Sequence, residues 1–190
     1  NGIVVGRFQG FHNGHAWIIH NALMECENVY VLVGSAQEMR TKANPFSFEE
    51  RRRDIVDWAY AGRYESPQGH IFVVPLVDIG VGNCPEWGEY VVNTVKAYIG
   101  CKPDVLYTGV EVERLNWFTK DSDIDIIAIP RILFKCSGTE VRNALRSGDY
   151  GAWCSMVPSS LWGTWELNQK RLESETEIRY IQEEDKTYEF

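Results

Sequence analysis

Apolar residues follow two spacings that alternate along the chain. Short continuous apolar runs predict five buried strands, at Ile3–Val5, Val29–Val33, Ile71–Pro75, Val105–Tyr107 and Ile124–Ile129. Between these runs, apolar residues recur every three or four positions, which predicts helices over residues 15–24, 47–61, 86–99 and 137–145, with a short one after Asp149. The pattern therefore predicts a repeating β-α-β-α order.

Polar and glycine residues indicate where several of these elements begin and end. Ser47 and Glu50 have the spacing of a capping box at a helix start, and Gly100 follows the last apolar residue of the next helix. Asp123 and Asp125 bring charge into the fifth strand, which predicts that this strand lies at an edge of the sheet.

Continuous apolar strands joined by helices predict a doubly wound parallel sheet, a Rossmann-like α/β fold with helices on both faces. We expect residues 1–160 to form one domain and residues 161–190 to form a C-terminal extension that packs on it or is partly mobile. Ligands of such folds bind at the carboxyl ends of the strands, where the strand order reverses.

Composition narrows the classes of function. The chain has 190 residues, a formal charge of −8 and five cysteines, none of them in a CxxC pair. The negative charge argues against nucleic acid as a partner, because such a surface needs clustered lysine and arginine. The scattered cysteines argue against a zinc site and predict a cytoplasmic protein, and no apolar run is long enough for a membrane. A homo-oligomer is compatible with this composition.

The glycine-rich segment directly after the first strand carries the main chemical signal. It reads Gly6-Arg7-Phe8-Gln9-Gly10-Phe11-His12-Asn13-Gly14-His15. A strand, a glycine-rich turn and a helix start together form an anion site, because the first amide N–H groups of a helix lack partners. His12 and His15 would project near one face of the turn and donate hydrogen bonds to phosphate oxygens. For either histidine alone, a surface or packing role is the alternative.

A second candidate phosphate site begins at Ser137. Ser137, Gly138 and Thr139 open a predicted helix, and Arg142 lies one turn inside it. A simple N-cap is the alternative interpretation of the first three residues, and a solvated helix charge is the alternative for Arg142. Both candidate segments follow strands, so we expect them at the same edge of the sheet.

These residues resemble a known family. The first segment is similar to the HxGH signature of the nucleotidylyltransferase superfamily, and most similar to nicotinamide mononucleotide adenylyltransferases of the archaeal type and to the adenylyltransferase half of adenylyltransferase/Nudix proteins. Three further blocks match in order: Gly34-Ser35-Ala36-Gln37 with Asn44-Pro45-Phe46-Ser47 and Glu50-Arg51; Pro75–Asp78 with Asn83 and Trp87; and Ser137-Gly138-Thr139-Glu140-Val141-Arg142. The resemblance spans about residues 2–160.

The resemblance implies that the adenylyl group of ATP, bound with Mg²⁺, passes to nicotinamide mononucleotide, giving NAD and pyrophosphate. It implies catalytic roles for His12, His15 and Arg142. The sequence itself has no carboxylate cluster that would form a metal site, so we expect Mg²⁺ to arrive with ATP. The resemblance implies nucleotide contacts from a wider set: Gly6, Arg7, Phe8, Gly14, Gly34, Ser35, Asn44, Arg51, Asn83, Trp87, Gly109, Ser137, Gly138 and Thr139. Trp87 would stack on the nicotinamide ring, with core packing as its alternative. Arg51 has a helix-surface charge as its alternative.

Three positions depart from the family pattern. Gly10 stands where proline is usual, which predicts a looser first loop that Gly10→Pro would tighten. Arg40 replaces a histidine and Cys136 a tyrosine. Arg131 and Lys135 are both candidates for a basic residue expected near Cys136.

Two other functions are compatible with these motifs. One is adenylyl or cytidylyl transfer to another acceptor, such as pantetheine phosphate, a polyol phosphate or flavin mononucleotide. The other is a nucleotide-sensing module that regulates a partner through the acidic C-terminal stretch. The block from Gly34 to Arg51 and Trp87 favour nicotinamide mononucleotide, and the histidine pair with Arg142 favours an enzyme.

Overall fold

In a computed structural model, strands and helices alternate as the apolar pattern predicts. The structure describes residues 1–61, 69–109, 116–118, 122–130 and 134–173. The strands are β1 (Gly2–Gly6), β2 (Asn28–Val33), β3 (His70–Pro75), β4 (Val105–Gly109) and β5 (Asp125–Ile129). The helices are α1 (Asn13–Glu25), α2 (Phe48–Ala61), α3 (Pro85–Ile99), α4 (Gly138–Ser147) and α5 (Tyr150–Met156). The predicted elements are confirmed, with ends that differ by at most two residues.

The five strands form one parallel sheet in the order β3-β2-β1-β4-β5. The doubly wound fold and the edge position of β5 are thereby confirmed. After β3 the chain crosses back to place β4 beside β1, so the strand order reverses between β1 and β4. In a sheet of this type the crevice at that reversal is where ligands bind.

Both faces of the sheet are covered by helices. On one face Ile19, Ile55 and Trp153 belong to a core cluster that α1, α2, α4 and α5 share with the sheet, and all three are at most 1% exposed. On the other face Val91 and Val95 of α3 are fully buried against the strands. Burial on both sides explains why the central strands are continuously apolar.

The predicted end signals form the expected hydrogen bonds. The backbone N–H of Ser47 donates to Glu50 Oε2 at 2.8 Å, and the N–H of Glu50 donates to Ser47 Oγ at 3.2 Å, which is a complete capping box. Gly100 ends α3 with φ 76°, and Asp149 caps α5 by accepting from the N–H of Ala152 at 2.9 Å. These neighbours fix where the helices begin and end.

The first part of the C-terminal extension packs on the rest of the chain. A 3₁₀ helix that the apolar pattern did not predict, Ser159–Thr164, is followed by helical residues 165–173. Leu161 and Leu172 join the core cluster beneath α2 and α4. Residues 174–190, which belong to the predicted extension, lie outside the described residues. Among the helices that the structure describes, none has the length and apolar character needed to cross a membrane.

Candidate active site

His12 ends the loop after β1 and caps helix α1. Its Nδ1 accepts hydrogen bonds from the backbone N–H groups of Gly14, at 3.1 Å, and His15, at 3.4 Å. A ring nitrogen that accepts carries no proton, so the neutral imidazole holds its proton on Nε2. A Cβ at position 14 would lie 3.1 Å from this ring, so glycine lets the helix backbone approach it closely. The cap therefore fixes both the orientation and the tautomer of His12.

His15 stacks on His12 at the start of the helix. The two ring centroids lie 3.7 Å apart with an interplanar angle of 22°. Phe8 and Phe11 pack around His15, with centroid distances of 4.7 and 5.8 Å. Phe8 has a φ of 50°, an unusual value for a residue with a side chain, and it is 2% exposed. The loop thus holds two stacked imidazoles with little freedom to rotate.

Helix α4 faces this loop with its N-terminus. Ser137 caps the helix by accepting from the backbone N–H of Glu140 at 3.3 Å, so the N-cap interpretation is confirmed. Arg142 donates from Nη1 to the carbonyl oxygen of Gln9 at 2.6 Å and from Nη2 to Thr139 Oγ1 at 3.2 Å. A Cβ at Gly138 would lie 2.6 Å from the carbonyl oxygen of Gln9, so glycine is required where the two segments meet.

A cavity of about 230 Å³, which we call the histidine cavity, opens between these segments. It lies at the carboxyl ends of β1 and β4, where the strand order reverses. Ten predicted site residues line it: Gly6, Arg7, Phe8, His12, His15, Gly109, Ser137, Gly138, Thr139 and Arg142. The cavity combines imidazoles, a guanidinium and the N-terminus of α4, which is a chemistry suited to phosphate groups.

A second cavity of about 320 Å³, the tryptophan cavity, opens on the β2 side of β1. Six predicted site residues line it: Gly6, Arg7, Gly34, Ser35, Asn83 and Trp87. Trp117 also lines it, lies edge-on to Trp87 at 6.2 Å, and donates from Nε1 to Asn83 Oδ1 at 3.0 Å. Sequence reasoning missed Trp117, because nothing in its local sequence separates it from the other tryptophans.

Arg7 belongs to the walls of both cavities, as do Val5 and Gly6. The cavities are therefore neighbours across the end of β1. A molecule with a phosphate at one end and an aromatic ring at the other could place the phosphate near Arg7 and the ring beside Trp87. The arrangement suits a transfer reaction between two bound nucleotides.

Arg51 lines neither cavity, but it bonds to the backbone of loops that form their walls. It is 1% exposed, so the surface-charge alternative is wrong. Its guanidinium donates to four backbone carbonyl oxygens: those of Arg7 and Gly34 at 2.7 Å, Ser47 at 3.1 Å and Ser35 at 3.2 Å. Burial lowers the pKa of Arg51 to about 10, and it remains a cation at neutral pH. The residue joins the loop after β1 to the loop after β2.

Gln9 forms a second link, between the loop after β1 and the segment before α2, that the sequence did not predict. Its side chain is 4% exposed, accepts from the backbone N–H of Phe46 at 2.9 Å and donates to the carbonyl oxygen of Phe46 at 3.0 Å. Both the side chain and the carbonyl of Gln9 are bonded, and the looseness expected of the first loop stays a prediction. Gly10 has φ 91°, which proline cannot adopt, so Gly10→Pro would strain the loop.

Asn44 and Arg40 lie outside both cavities. Asn44 is 3% exposed and donates from Nδ2 to Glu38 Oε2. Arg40 forms a bidentate ion pair with Glu50 at 2.7 and 2.8 Å. Burial opposes ionisation of Glu50, but the hydrogen bonds from Arg40 and from the Ser47 backbone outweigh it and hold the pKa of Glu50 below its usual range. Arg40 therefore braces the start of α2.

Cys136 Sγ lies 3.4 Å from His12 Nδ1. Lys135 does not line either cavity. Arg131 lies outside the described residues, so the choice between these two basic residues stays a prediction.

Fold and site define a nucleotidyltransferase of the α/β class, with a phosphate cavity at the strand reversal and an aromatic cavity beside it. A family model described as Cytidylyltransferase-like matches residues 3–70. Nicotinamide-nucleotide adenylyltransferase of Aeropyrum pernix is 30% identical over 159 residues, covering 78% of this chain and 81% of that protein. The enzyme of the same name from Thermococcus kodakarensis is 29% identical over 163 residues, covering 84% and 79%. The chain belongs to the nicotinamide-nucleotide adenylyltransferase family.

Solved structures support the fold. The chain matches a crystal structure of a bifunctional NMN adenylyltransferase/ADP ribose pyrophosphatase from Francisella tularensis, complexed with AMP and a manganese ion. The TM-score is 0.69 at 21% identity, and the match covers 98% of this chain. The chain spans about half of that bifunctional protein, 55% of its length.

Proposed function

We propose that this protein transfers the adenylyl group of ATP to nicotinamide mononucleotide. A phosphate oxygen of the mononucleotide forms a bond to the α-phosphorus of ATP. The bond from that phosphorus to the bridging oxygen of the β-phosphate breaks, so NAD forms and pyrophosphate leaves. The observation that carries the proposal is the pairing of a histidine-lined phosphate cavity with a tryptophan-lined cavity across the end of β1.

The chemistry needs positioning and charge stabilisation rather than a base. The attacking phosphate is already an anion at neutral pH, so nothing must remove a proton from it. The Nε2–H of His12 and the ring of His15 stabilise the negative charge on the oxygens around the reacting phosphorus. Arg142 and the N-terminal amides of α4 hold the departing phosphates. Arg7, shared by both cavities, lies where the two nucleotides meet.

The tryptophan cavity would hold the nicotinamide end of the acceptor. The pyridinium ring is a cation, and stacking on Trp87 would gain about 0.5–2 kcal/mol. Asn83 would bond the carboxamide, and Gly34 and Ser35, which line the same cavity, would lie beside the ribose phosphate. The relatives described above are named for the same acceptor, which supports this assignment.

Magnesium enters with ATP as part of the substrate. Within the described ranges, no cluster of three histidine, cysteine or acidic residues could hold a metal ion. The residues around the histidine cavity are mainly donors and cations, which fit the oxygens of a metal-bound triphosphate better than a free metal.

The direct test is an acceptor panel. Purified protein is incubated with ATP or CTP, Mg²⁺ and one of four acceptors: nicotinamide mononucleotide, pantetheine phosphate, a polyol phosphate or flavin mononucleotide. Release of pyrophosphate with ATP and nicotinamide mononucleotide alone supports the proposal. Release with another pair would indicate a different acceptor or nucleotide, and release with none would favour the sensing module.

We further propose that residues 1–160 are the catalytic domain and that residues 161–190 are an extension required for its stability. Leu161 and Leu172 are buried in the core, and Arg171 lies 3.4 Å from Asp54. Truncation after residue 160 should lower the melting temperature by several degrees or prevent folding, because apolar surface of α2 and α4 becomes exposed. A truncated chain that melts at the same temperature would contradict this role.

A further inference from the structure

The tryptophan cavity has an acidic residue in its wall that the proposed reaction does not use. Asp78 lines this cavity together with Trp87, Asn83 and Trp117. It follows β3 and lies on an exposed loop. Apart from Arg7 at the junction with the histidine cavity, Asp78 is the charged side chain among the described lining residues. Asp78 therefore contributes one negative charge to the wall of this cavity, and Arg7 contributes one positive charge at the junction with the histidine cavity.

The loop holds Asp78 in place by four hydrogen bonds. Gln37 accepts from the backbone N–H of Asp78 at 3.0 Å and donates to its carbonyl oxygen at 3.2 Å. Asp78 Oδ1 accepts from the N–H of Gly80 at 3.0 Å, and Oδ2 accepts from Ser35 Oγ at 3.5 Å. Backbone and carboxylate are both tethered, so the negative charge has a defined position at the cavity wall.

We propose that Asp78 makes the protein select the amide form of the mononucleotide over the acid form. This inference rests on the proposed function, because it assumes that the pyridine ring occupies the tryptophan cavity. The pyridinium cation is common to both forms and is attracted to Asp78 in each. The acid form adds a carboxylate to the ring, and that carboxylate is repelled by the carboxylate of Asp78.

The carboxylate of the acid form would share this cavity with the carboxylate of Asp78. Two like charges about 8 Å apart, with an effective dielectric constant of about 20, weaken binding by about thirtyfold. Asp78 is exposed, and solvent screening reduces this to about tenfold. Discrimination of this size is measurable.

The variant Asp78→Asn tests the charge while keeping the shape. Its Oδ1 can still accept from the N–H of Gly80, and its amide nitrogen can donate to Ser35 Oγ. We measure kcat/KM for nicotinamide mononucleotide and for nicotinate mononucleotide and take their ratio. The ratio should favour the amide in the natural protein and fall about tenfold in Asp78→Asn, mainly because the acid form becomes a better substrate. Raising the salt concentration should lower the ratio in the natural protein and leave it unchanged in the variant.

Two controls separate charge from structure. Asp125→Asn makes the same change in net charge at the amino end of β5, on the opposite edge of the sheet, and should keep the ratio of the natural protein. Gln37→Leu loosens the loop while keeping the carboxylate, and should weaken both substrates. Binding of NAD and of its acid analogue, followed by tryptophan fluorescence, should show the same tenfold shift in their relative affinities in Asp78→Asn.

The outcomes distinguish the inference from the function on which it rests. An unchanged ratio in Asp78→Asn, with either both substrates kept or both weakened equally, would overturn the selection by charge and leave the transfer reaction intact. Equal weakening would make Asp78 a ligand of a group that both substrates share, such as the ribose. Absence of product from the natural protein with either mononucleotide would overturn the proposed function and the inference together.

Discussion

The two cavities are built in different ways. The histidine cavity is assembled at the starts of two helices, where His12 caps α1 and Ser137 caps α4. The tryptophan cavity is assembled from loops after β2 and β3, with Trp87 from the first turn of α3 and Trp117 from a separate segment. In the proposed reaction, phosphate groups would therefore be recognised by helix ends, and the nicotinamide ring would be recognised mainly by loops.

This difference separates phosphate binding, which is common to all nucleotides, from binding of the ring, which differs between acceptors. A helix N-terminus offers the same partnerless amides to any phosphate, whichever nucleotide carries it. In the proposed reaction, the loops of the tryptophan cavity would determine which ring fits there. We therefore expect changes at the histidine cavity to affect the rate of transfer, and changes at the tryptophan cavity to affect the choice of acceptor.

The largest effect is expected at Arg51, which supports both cavities. Arg51→Met removes the side-chain donor to four backbone carbonyl oxygens. The oxygens of Ser35 and Ser47 keep backbone donors, whereas those of Arg7 and Gly34 lose the donor described for them. Each unsatisfied group costs about 1–3 kcal/mol, so the free energy of unfolding should fall by about 2–6 kcal/mol. Urea unfolding measures the loss.

Arg53→Met is the matched control for Arg51→Met, because Arg53 is exposed on the same helix. It should change the free energy of unfolding by less than about 0.5 kcal/mol. Equal losses in the two variants would contradict the bridging role of Arg51.

At the histidine cavity alone, His12→Asn separates capping from chemistry. Asparagine is a good N-cap, so α1 keeps its start, but the variant lacks the Nε2–H donor. Loss of one such donor costs about a hundredfold in kcat. We expect that loss with a melting temperature close to that of the natural protein, as measured by steady-state kinetics and calorimetry.

His20→Asn, farther along α1, serves as the control for His12→Asn. The ring of His20 stacks on Trp17 at 6.0 Å and lies outside both cavities. Its kcat should stay within a factor of two. If His20→Asn were as slow as His12→Asn, histidine chemistry at the cavity would not explain the loss.

The next largest effect is a pH dependence of stability that arises from Asp54, a buried carboxyl group of α2. Burial raises the pKa of Asp54 to about 6. Arg171, at 3.4 Å, lowers this pKa but does not cancel the effect of burial. Because the folded state binds this proton more tightly than the unfolded state, Asp54 contributes stability below about pH 4 that is lost as the pH rises through 6. At pH 8 the ionised group should cost about 3 kcal/mol.

The measurement compares urea unfolding of the natural protein and Asp54→Asn from pH 4 to pH 8. The free energy of unfolding of Asp54→Asn, relative to that of the natural protein, should increase as the pH rises. Glu49→Gln, which removes an exposed carboxylate on the same helix, should show no such trend. A difference between Asp54→Asn and the natural protein that stays constant with pH would rule out titration of Asp54.

The smallest expected effect, on kinetic constants, comes from two glutamines, one beside each cavity. Gln9 forms a two-bond pair with the backbone of Phe46 beside the histidine cavity, and Gln37 forms the same pair with Asp78 at the tryptophan cavity. Gln9→Leu should lower kcat or raise the KM for ATP by about tenfold, since Gln9 holds the carbonyl that binds Arg142. Gln37→Leu should instead raise the KM for the mononucleotide.

Kinetics with each substrate varied in turn test this crossed pattern. Both variants remove a side-chain amide that forms two backbone hydrogen bonds, so each acts as the control for the other. If both variants changed the same KM by the same factor, the two cavities would not be independent.

The sequence predicted the features that depend on residues close together along the chain. The capping box of Ser47 and Glu50 spans three positions, and the loop from Gly6 to His15 is continuous. The order of apolar runs was enough for the parallel sheet, because strands buried on both faces have no polar side. Ten predicted residues therefore fall together in the histidine cavity.

The features that sequence reasoning missed depend on distant partners. Arg51 bonds to carbonyl oxygens 44, 17 and 16 positions away, so nothing near it distinguishes a buried bridge from a surface charge. Gly10 has φ 91°, and a Cβ there would lie 3.0 Å from Val141 of α4, a residue that the loop sequence does not contain. Such contacts exist only once the fold has brought the segments together.

The glycines at the two cavities bear on attempts to engineer this scaffold. At Gly138 even a methyl group would meet the carbonyl oxygen of Gln9 at 2.6 Å, so a mutant library there should return almost no active clones. At Gly82, in the wall of the tryptophan cavity, an added Cβ meets no described atom within 4 Å. Diversity introduced at Gly82 can reshape the pocket for unnatural acceptors while the catalytic framework is inherited unchanged.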